Sequence, residues 1–441
     1  MSRLTFEFDW ADPLGAKGPE LRATWAHLKI LADGAPITRM LDERANTVRD
    51  GIYIPLYPLA EWFATHWWSI NYEIPSPSRA ADEAFSQRHS NVRFREGYAI
   101  PRLLIQSTGT GVSIRWFRER LPRAGCEFLE EGQITVSSGN FQAEVIGLIE
   151  ATLGRMNAAG VVGTLLQDEW KEISENGYDE DVRPFCVAAA QLGLDPYSID
   201  DEMAGRIIGI SETIPGAIRD EFLAVARVEQ LVTDAASVAS ALASVETGDS
   251  DLSNLQPARE ALGRLDISNA PPWQQGYDAA RALRRTWQLN GERIASVEQF
   301  GSWLGADATR LRAAIFDLEP EAPFDAAVGS NTAGHPRFGL VRTARPESRL
   351  FDFSRALFEL LHSPDAGPAL VTRAASAVQM RNRAFAAEFL APAQTLRDLV
   401  RGSIVWPEQV DELSDRFGVS SFVIRHQLKN HRIATVMTDG D

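Results

Sequence analysis

The chain has 441 residues, 44% hydrophobic and 24% charged. This composition suits two or three folded domains and excludes long disordered stretches. With 44 basic and 60 acidic residues the net charge is −16, which excludes a surface built as a whole to coat phosphate backbones. No apolar run reaches the roughly 18 residues that a membrane span needs. Cys126 and Cys186 are the two cysteines and form no Cys-x-x-Cys motif. That usage, with no signal-peptide pattern at the start, predicts a cytoplasmic protein whose cysteines are small core residues. Lysine occurs only at Lys17, Lys29, Lys171 and Lys429, which fits a GC-rich bacterial coding sequence.

Taken in chain order, Leu4, Phe6, Phe8 and Trp10 alternate like a half-buried strand. A strand at Ile52–Ile54 precedes a short helix over Leu59–Trp68. Leu103–Gln106 and Val112–Phe117 flank Ser107-Thr108-Gly109-Thr110-Gly111, a hairpin signal. No Lys follows those glycines as a phosphate loop would require. Ile134–Val136 closes this mixed α/β domain, residues 1–140. Within it, Trp62 and Trp67 are expected in the core, with a partner surface as the alternative.

Residues 141–268 read as a helical middle region. Asn140 is placed to cap a helix reaching about Ala158. Helices follow at Gln167–Glu175, Val182–Leu192, Ala217–Leu231 and Ala235–Glu246. Asp200-Asp201-Glu202 lacks Ca²⁺-loop spacing and reads as an acidic helix start. Gly248–Asp251 is a polar loop, and Ser268-Asn269-Ala270-Pro271-Pro272 is the strongest linker signal.

The informative stretch comes later. Phe351 stands four residues before Arg355, on a helix that runs to His362. Gln379 and Arg381 open a second helix, which continues Phe385-Ala386-Ala387-Glu388-Phe389-Leu390-Ala391-Pro392. This resembles the core of ImmA/IrrE-type zinc metallopeptidases, where a Phe introduces a His-Glu-x-x-His helix and a later helix carries a metal-binding carboxylate near its start. The resemblance spans residues 272–441. It includes Gly276–Arg284 as an opening helix, Ile294–Phe300 as a short helix, and strands at Phe324–Gly329 and Arg337–Val341.

The resemblance implies a zincin-like α+β fold, but the metal positions depart from the family pattern. Arg355 and Glu359 stand at the two His positions, Ala356 at the general base, and Gln379 and Arg381 at the candidate third-ligand positions. Two imidazoles at i and i+4 hold a cation because they share a helix face, whereas arginine stays protonated and has no lone pair to offer. The pattern therefore predicts a degenerate metallopeptidase with no catalytic residue, no metal and no cofactor. Arg355 and Glu359 are expected either to pair with each other as an exposed i, i+4 ion pair or to face a partner. A rebuilt metal site would have to draw on Glu359, His362 and His335.

The tail Trp406–His431 reads as helix, turn, helix, with Gly418 in the turn and Ser420 as a cap. If it read DNA, Ser421, Arg425, His426 and Lys429 would face outward, but the tail is hardly more basic than acidic. The sequence thus predicts a predominantly helical α+β protein. Its expected parts are an N-terminal mixed domain (1–140), a helical middle (141–268) and a degenerate ImmA/IrrE-like domain (272–441) with a terminal helix pair. The leading functional expectation is a non-catalytic regulatory protein that binds a protein partner. The resemblance sets that partner among helix-turn-helix regulators in bacterial stress, mobile-element or phage-defence settings. The alternatives are a metallopeptidase with an atypical ligand set and a DNA-binding regulator.

Overall fold

A computed structural model of the chain describes residues 2–437 except 14, 81–82, 178, 248–251, 253, 267–269, 290, 344 and 364–366; the side chains of 78, 80 and 217 are likewise outside the description. The loop expected at Gly248–Asp251, and Ser268 and Asn269 of the expected linker, lie outside the described residues. The fold is α+β and mostly helical. It divides into two compact units, Met1–Gly209 and Ile210–Asp441. The helical stretch 141–268 is therefore not a part by itself. An amphipathic helix needs a surface on which to bury its apolar face, and these helices find theirs within one unit or the other.

In the first unit, β1 (Leu4–Trp10) pairs antiparallel with β2 (Trp25–Ala32), with Phe6 opposite Ile30. On its other side β2 pairs with β3 (Ile52–Pro55). Helix α1 (Tyr57–Thr65) follows, then α2 (Trp67–Tyr72). The single helix expected at 59–68 is broken at His66, whose φ of −115° leaves the helical range. A second antiparallel sheet holds β4 (Leu103–Ser107), β5 (Gly111–Trp116) and β6 (Gly132–Ser137), with β5 central. Helix α3 (Ser138–Ala158) packs on β1 and α1, and α4 (Leu165–Gly177) and α5 (Val182–Gln191) pack on α1 and α2.

The cap of α3 is Ser137, whose Oγ accepts from Asn140 N at 3.2 Å. Asn140 was expected in that role, but its Oδ1 instead accepts from Leu4 N at 3.1 Å and ties β1 to the helix. Trp62, at 0% exposure, is packed against Phe63, and Trp67 is buried against Trp170. Both tryptophans are core residues and neither is available to a partner. Cys126 and Cys186 are buried free thiols.

The second unit contains α6 (Gly216–Leu223), α7 (Leu231–Glu246), α8 (Gln256–Gly263) and α9 (Pro272–Thr286). A four-stranded sheet follows, built from β7 (Ile315–Leu318), β8 (Ala326–Ser330), β9 (Pro336–Val341) and, after α10 (Pro346–His362), β10 (Ala369–Val371). Its order is β7-β9-β8-β10, with only the β7–β9 pair parallel. Helix α10 lies against β8, β9 and β10; α7 also packs on β8 and β9, and α6 packs on the edge strand β10.

Helix α11 (Ala377–Leu390) packs on α10 and runs closely along α9. The approach to α9 depends on Gly276, where a Cβ would stand 2.3 Å from Arg381 O and 2.8 Å from Phe385 N. After α12 (Ala393–Leu399), the tail forms α13 (Pro407–Phe417) and α14 (Ser421–Asn430). Gly418 between them is left-handed at φ +65°, and Ser420 caps α14. The tail is not a separate module. Val410, Phe417, Ile424 and Leu428 belong to the same core as Phe300, Phe353, Phe358, Phe385 and Phe389. Among the described residues, no helix is long and apolar enough to cross a membrane.

Candidate functional site

Helix α10 carries Asp352, Arg355 and Glu359 at i, i+3 and i+7, so they share one helix face. That face meets β10, the chain just before β8, and the first turns of α11. Arg355 is buried, with 3% exposure. Its Nη1 donates to Asp325 Oδ2 at 3.0 Å and to Asp352 Oδ1 at 3.2 Å. Its Nη2 donates to Gln379 Oε1 at 2.9 Å and to the carbonyl of Thr372. Arg373 Nε holds the other oxygen of Asp325 at 2.9 Å. Two guanidinium groups and two carboxylates thus form a closed set of charges, which is what keeps ionised groups tolerable in a protein interior.

Gln379, at 0% exposure, ties the set to the sheet edge. Its Oε1 also accepts from Thr372 N at 3.0 Å, and its Nε2 donates to Leu370 O at 2.9 Å. Its own backbone N–H is capped by Ser376 Oγ at 3.1 Å. Glu221 of α6 reaches the same place, accepting from Thr372 Oγ1 at 3.3 Å. Burial pushes the Glu221 carboxyl above its ordinary range. Burial, reinforced by the neighbouring charge of Asp325, pushes Asp352 up to about 6, against the opposing pull of Arg355.

Glu359 is also buried, but it belongs to a second contact set. Its Oε2 accepts from Asn382 Nδ2 at 2.9 Å and from Arg381 Nη2 at 3.4 Å. The expected Arg355–Glu359 surface pair does not form. Each residue is drawn inward to partners on α11, Gln379 for Arg355 and Arg381 with Asn382 for Glu359. The same burial removes both from the list of partner-facing residues. Of the five positions that depart from the pattern, four, 355, 359, 379 and 381, converge where α10 meets α11. Ala356, at 0% exposure, lies in the core between them.

The donor set does not fit a divalent metal. A guanidinium carries positive charge and no lone pair, and the carboxylates bonded to it, Asp325 and Asp352, are already spent on arginines. His362, in the last turn of α10, packs its ring at a tilt against Phe358, with centroids 5.3 Å apart. Burial, aided by Arg381, keeps its ring below the usual imidazole range. His335 sits at the β8–β9 turn, where its backbone N–H is held by Asn331 Oδ1 at 3.0 Å. Among the described residues, no group of three His, Cys, Asp or Glu is placed to hold a metal ion, so Glu359, His362 and His335 do not form a ligand set.

On the tail, Ser421 Oγ donates to Asp411 Oδ1 at 2.7 Å. His426 and Lys429 are exposed and Arg425 is half-buried. Beside them Phe422 is 67% exposed and packs at a tilt against His426, with centroids 4.0 Å apart. An acidic partner and an exposed phenyl ring thus share the face considered for DNA. Sequence reasoning missed Asp325, Thr372 and Glu221, which approach only through tertiary folding; Asp352, three residues before Arg355, was the one visible sign. The first unit has a charged cluster of its own. Glu73, fully buried, receives Arg88 at 2.9 and 2.7 Å and His89 Nε2 at 3.0 Å, while His89 Nδ1 faces Ile105 O at 2.7 Å. Both ring nitrogens face oxygen atoms, so the imidazole ties Glu73 to the β4 backbone.

No family model matches the chain, and no curated protein or solved structure matches it.

Proposed function

We propose that this chain is a non-catalytic regulatory or interaction protein, in which an ImmA/IrrE-like domain has exchanged its metal for a buried arginine-centred tie and serves as a scaffold for binding a protein partner. The observation that carries the reading is Arg355. Its guanidinium donates to Thr372 just after β10, to Gln379 of α11 and to Asp325 just before β8, at the first metal-ligand position of the family pattern. Such a tie does the mechanical work of a structural metal, joining separate elements at one point, and offers no Lewis acid or activated water. The family resemblance supplies the setting of this proposal, bacterial stress or mobile-element control. The partner surface must lie outside the buried positions. The exposed aromatics Phe422 and Trp406, at 67% and 53% exposure, are the natural anchors.

Elemental analysis of purified full-length protein, paired with in-cell crosslinking, tests this reading. The expected outcome is no stoichiometric zinc and a defined protein adduct that is lost in Phe422→Ala. About one zinc per chain, with loss of structure on chelation, would overturn the metal-free reading. An unchanged adduct pattern in both Phe422→Ala and Trp406→Ala would overturn the placement of the partner surface.

A further inference from the structure

One cavity in the second unit lies apart from the α10 network and has no part in the reading above. It measures about 870 Å³, within the range of small-molecule sites. Three helices build it. Trp273, Tyr277 and Arg281 come from one face of α9, Arg397 from α12, and His431 from the end of α14. Three amide side chains, Gln274, Gln394 and Asn430, complete the lining.

Two properties of this lining are unusual for the chain. In a protein of net charge −16, the lining contains no carboxylate among the described residues and holds two arginines. It also presents Trp273 at 45% exposure, a large indole left half in water.

The floor is preorganised. Glu388 of α11 is 2% exposed and accepts from Arg281 Nε at 2.8 Å, Gln427 Nε2 at 2.9 Å and Ala393 N at 3.2 Å, with His431 Nε2 at 3.3 Å. Burial works to raise its carboxyl, but His431 and Arg281 outweigh that and hold it below the ordinary range. An ionised carboxylate beneath the cavity thus fixes Arg281 and His431 from behind. Tyr277 packs against the His431 ring at 4.4 Å, and its OH accepts from Asn430 Nδ2 at 3.4 Å.

Arg397 is different. It is exposed, and its Nη2 donates to the carbonyl of His431 at 3.1 Å, a partner that carries no charge. Its positive charge is therefore the one at this cavity that is left for a ligand. Gln274 and Gln394 donate their amide nitrogens to Asp278 and Asp398, which stand outside the lining. What these glutamines retain is acceptor capacity, suited to amino or hydroxyl groups.

We infer that this cavity binds a purine nucleotide, with the base stacked on Trp273, the phosphate on Arg397, and the amide oxygens receiving base or ribose donors. An aromatic platform beside an uncompensated guanidinium matches a planar ring joined to an anion, because indole faces stack on bases and a guanidinium fork bonds phosphate oxygens in pairs. The phosphate belongs either to a free mononucleotide or to the 5′ end of a nucleic-acid strand, and the two sources are separable.

Isothermal titration of the full-length protein with AMP and GMP is the test, with adenosine and inorganic phosphate as the two halves of the ligand and a 5′-phosphorylated oligonucleotide as the strand-end source. The expected result is saturable nucleotide binding, with each half binding at least about tenfold more weakly. Trp273→Ala and Arg397→Ala should each weaken nucleotide binding by roughly tenfold or more. Both side chains are exposed, so neither change should shift thermal melting. Tighter binding of the 5′-phosphorylated oligonucleotide than of AMP would support the same site with a strand end as its source. The inference is overturned by an absence of heat from AMP, GMP and oligonucleotide at millimolar concentration. It is equally overturned if phosphate alone binds as well as AMP, or if binding is unchanged in both variants.

Discussion

Replacing Arg355 by alanine removes the guanidinium bonded to Asp352 and half of the set that neutralises Asp325. It also leaves the Thr372 carbonyl and Gln379 Oε1 each short of a donor. Arg373, whose side chain is 74% exposed, stays on Asp325 and compensates part of the loss. Removing one member of a buried ion pair costs about 3–5 kcal/mol, because the remaining charge stays desolvated. An exposed pair costs about 0–1 kcal/mol.

The chain forms two units, so a local probe is preferable to a global melt. Hydrogen exchange of peptides from α10, β10 and α11 reports the opening free energy of this region. Roughly 100- to 1000-fold faster exchange is expected at neutral pH. The loss should also depend on pH. The Asp352 carboxyl sits near 6 in the fold, above its unfolded value of about 3.9. Between those values the folded state binds more protons than the unfolded state, so this group's contribution to stability falls as pH rises through that window and is flat above it. Without Arg355 the carboxyl shifts further upward. The part of the cost carried by Asp352 therefore appears as pH rises above about 6 and is absent below it, where the carboxyl is protonated with or without Arg355. An exchange change of less than about fivefold at neutral pH, or an equal cost at about pH 5 and about pH 8, would refute the argument that Arg355 is a buried neutralising tie.

Three further outcomes follow from the packing. Phe385, at 0% exposure and stacked on Phe358 at 4.2 Å and on Phe389 at 5.3 Å, should cost about 3–5 kcal/mol when changed to alanine, measured by urea denaturation. Gly276→Ala places a methyl against the α11 backbone, so overpacking should cost about 1–3 kcal/mol, visible as a lowered melting temperature. A chain ending at Arg401 loses Val410, Phe417, Ile424 and Leu428 from the shared core and should melt lower or fail to fold. An unchanged melting temperature would show the tail to be independent.

Much of the second unit was legible because its signals are local. The cap at Ser420 and the turn glycine Gly418 are fixed within a few residues, and each is found where the pattern puts it. The contacts of Arg355 were not legible. The i, i+4 spacing to Glu359 suggests a surface pair, yet the partners that win are Asp325, 30 positions away, and Gln379, 24 positions away. No helix periodicity encodes those. Strand β2 alternates buried and half-buried residues along Leu28–Ala32 and ends on the turn residues Asp33-Gly34, at φ +50° and +81°, so that strand was legible in the sequence and was not read there. The cavity beside Trp273 was invisible for the same reason as the Arg355 network, since three helices far apart in sequence each contribute a few side chains.

A metal cross-link is an acquired part. It forms only when the cell supplies the ion, it competes with protons for its ligands, and a chelator can take it away. The tie at Arg355 is synthesised with the chain. It needs no loading step and exists as soon as α10, β10 and α11 come together. A domain held in this way is in its final form from the moment it folds. If the proposed metal-free reading holds, zinc starvation and zinc excess leave that form unchanged.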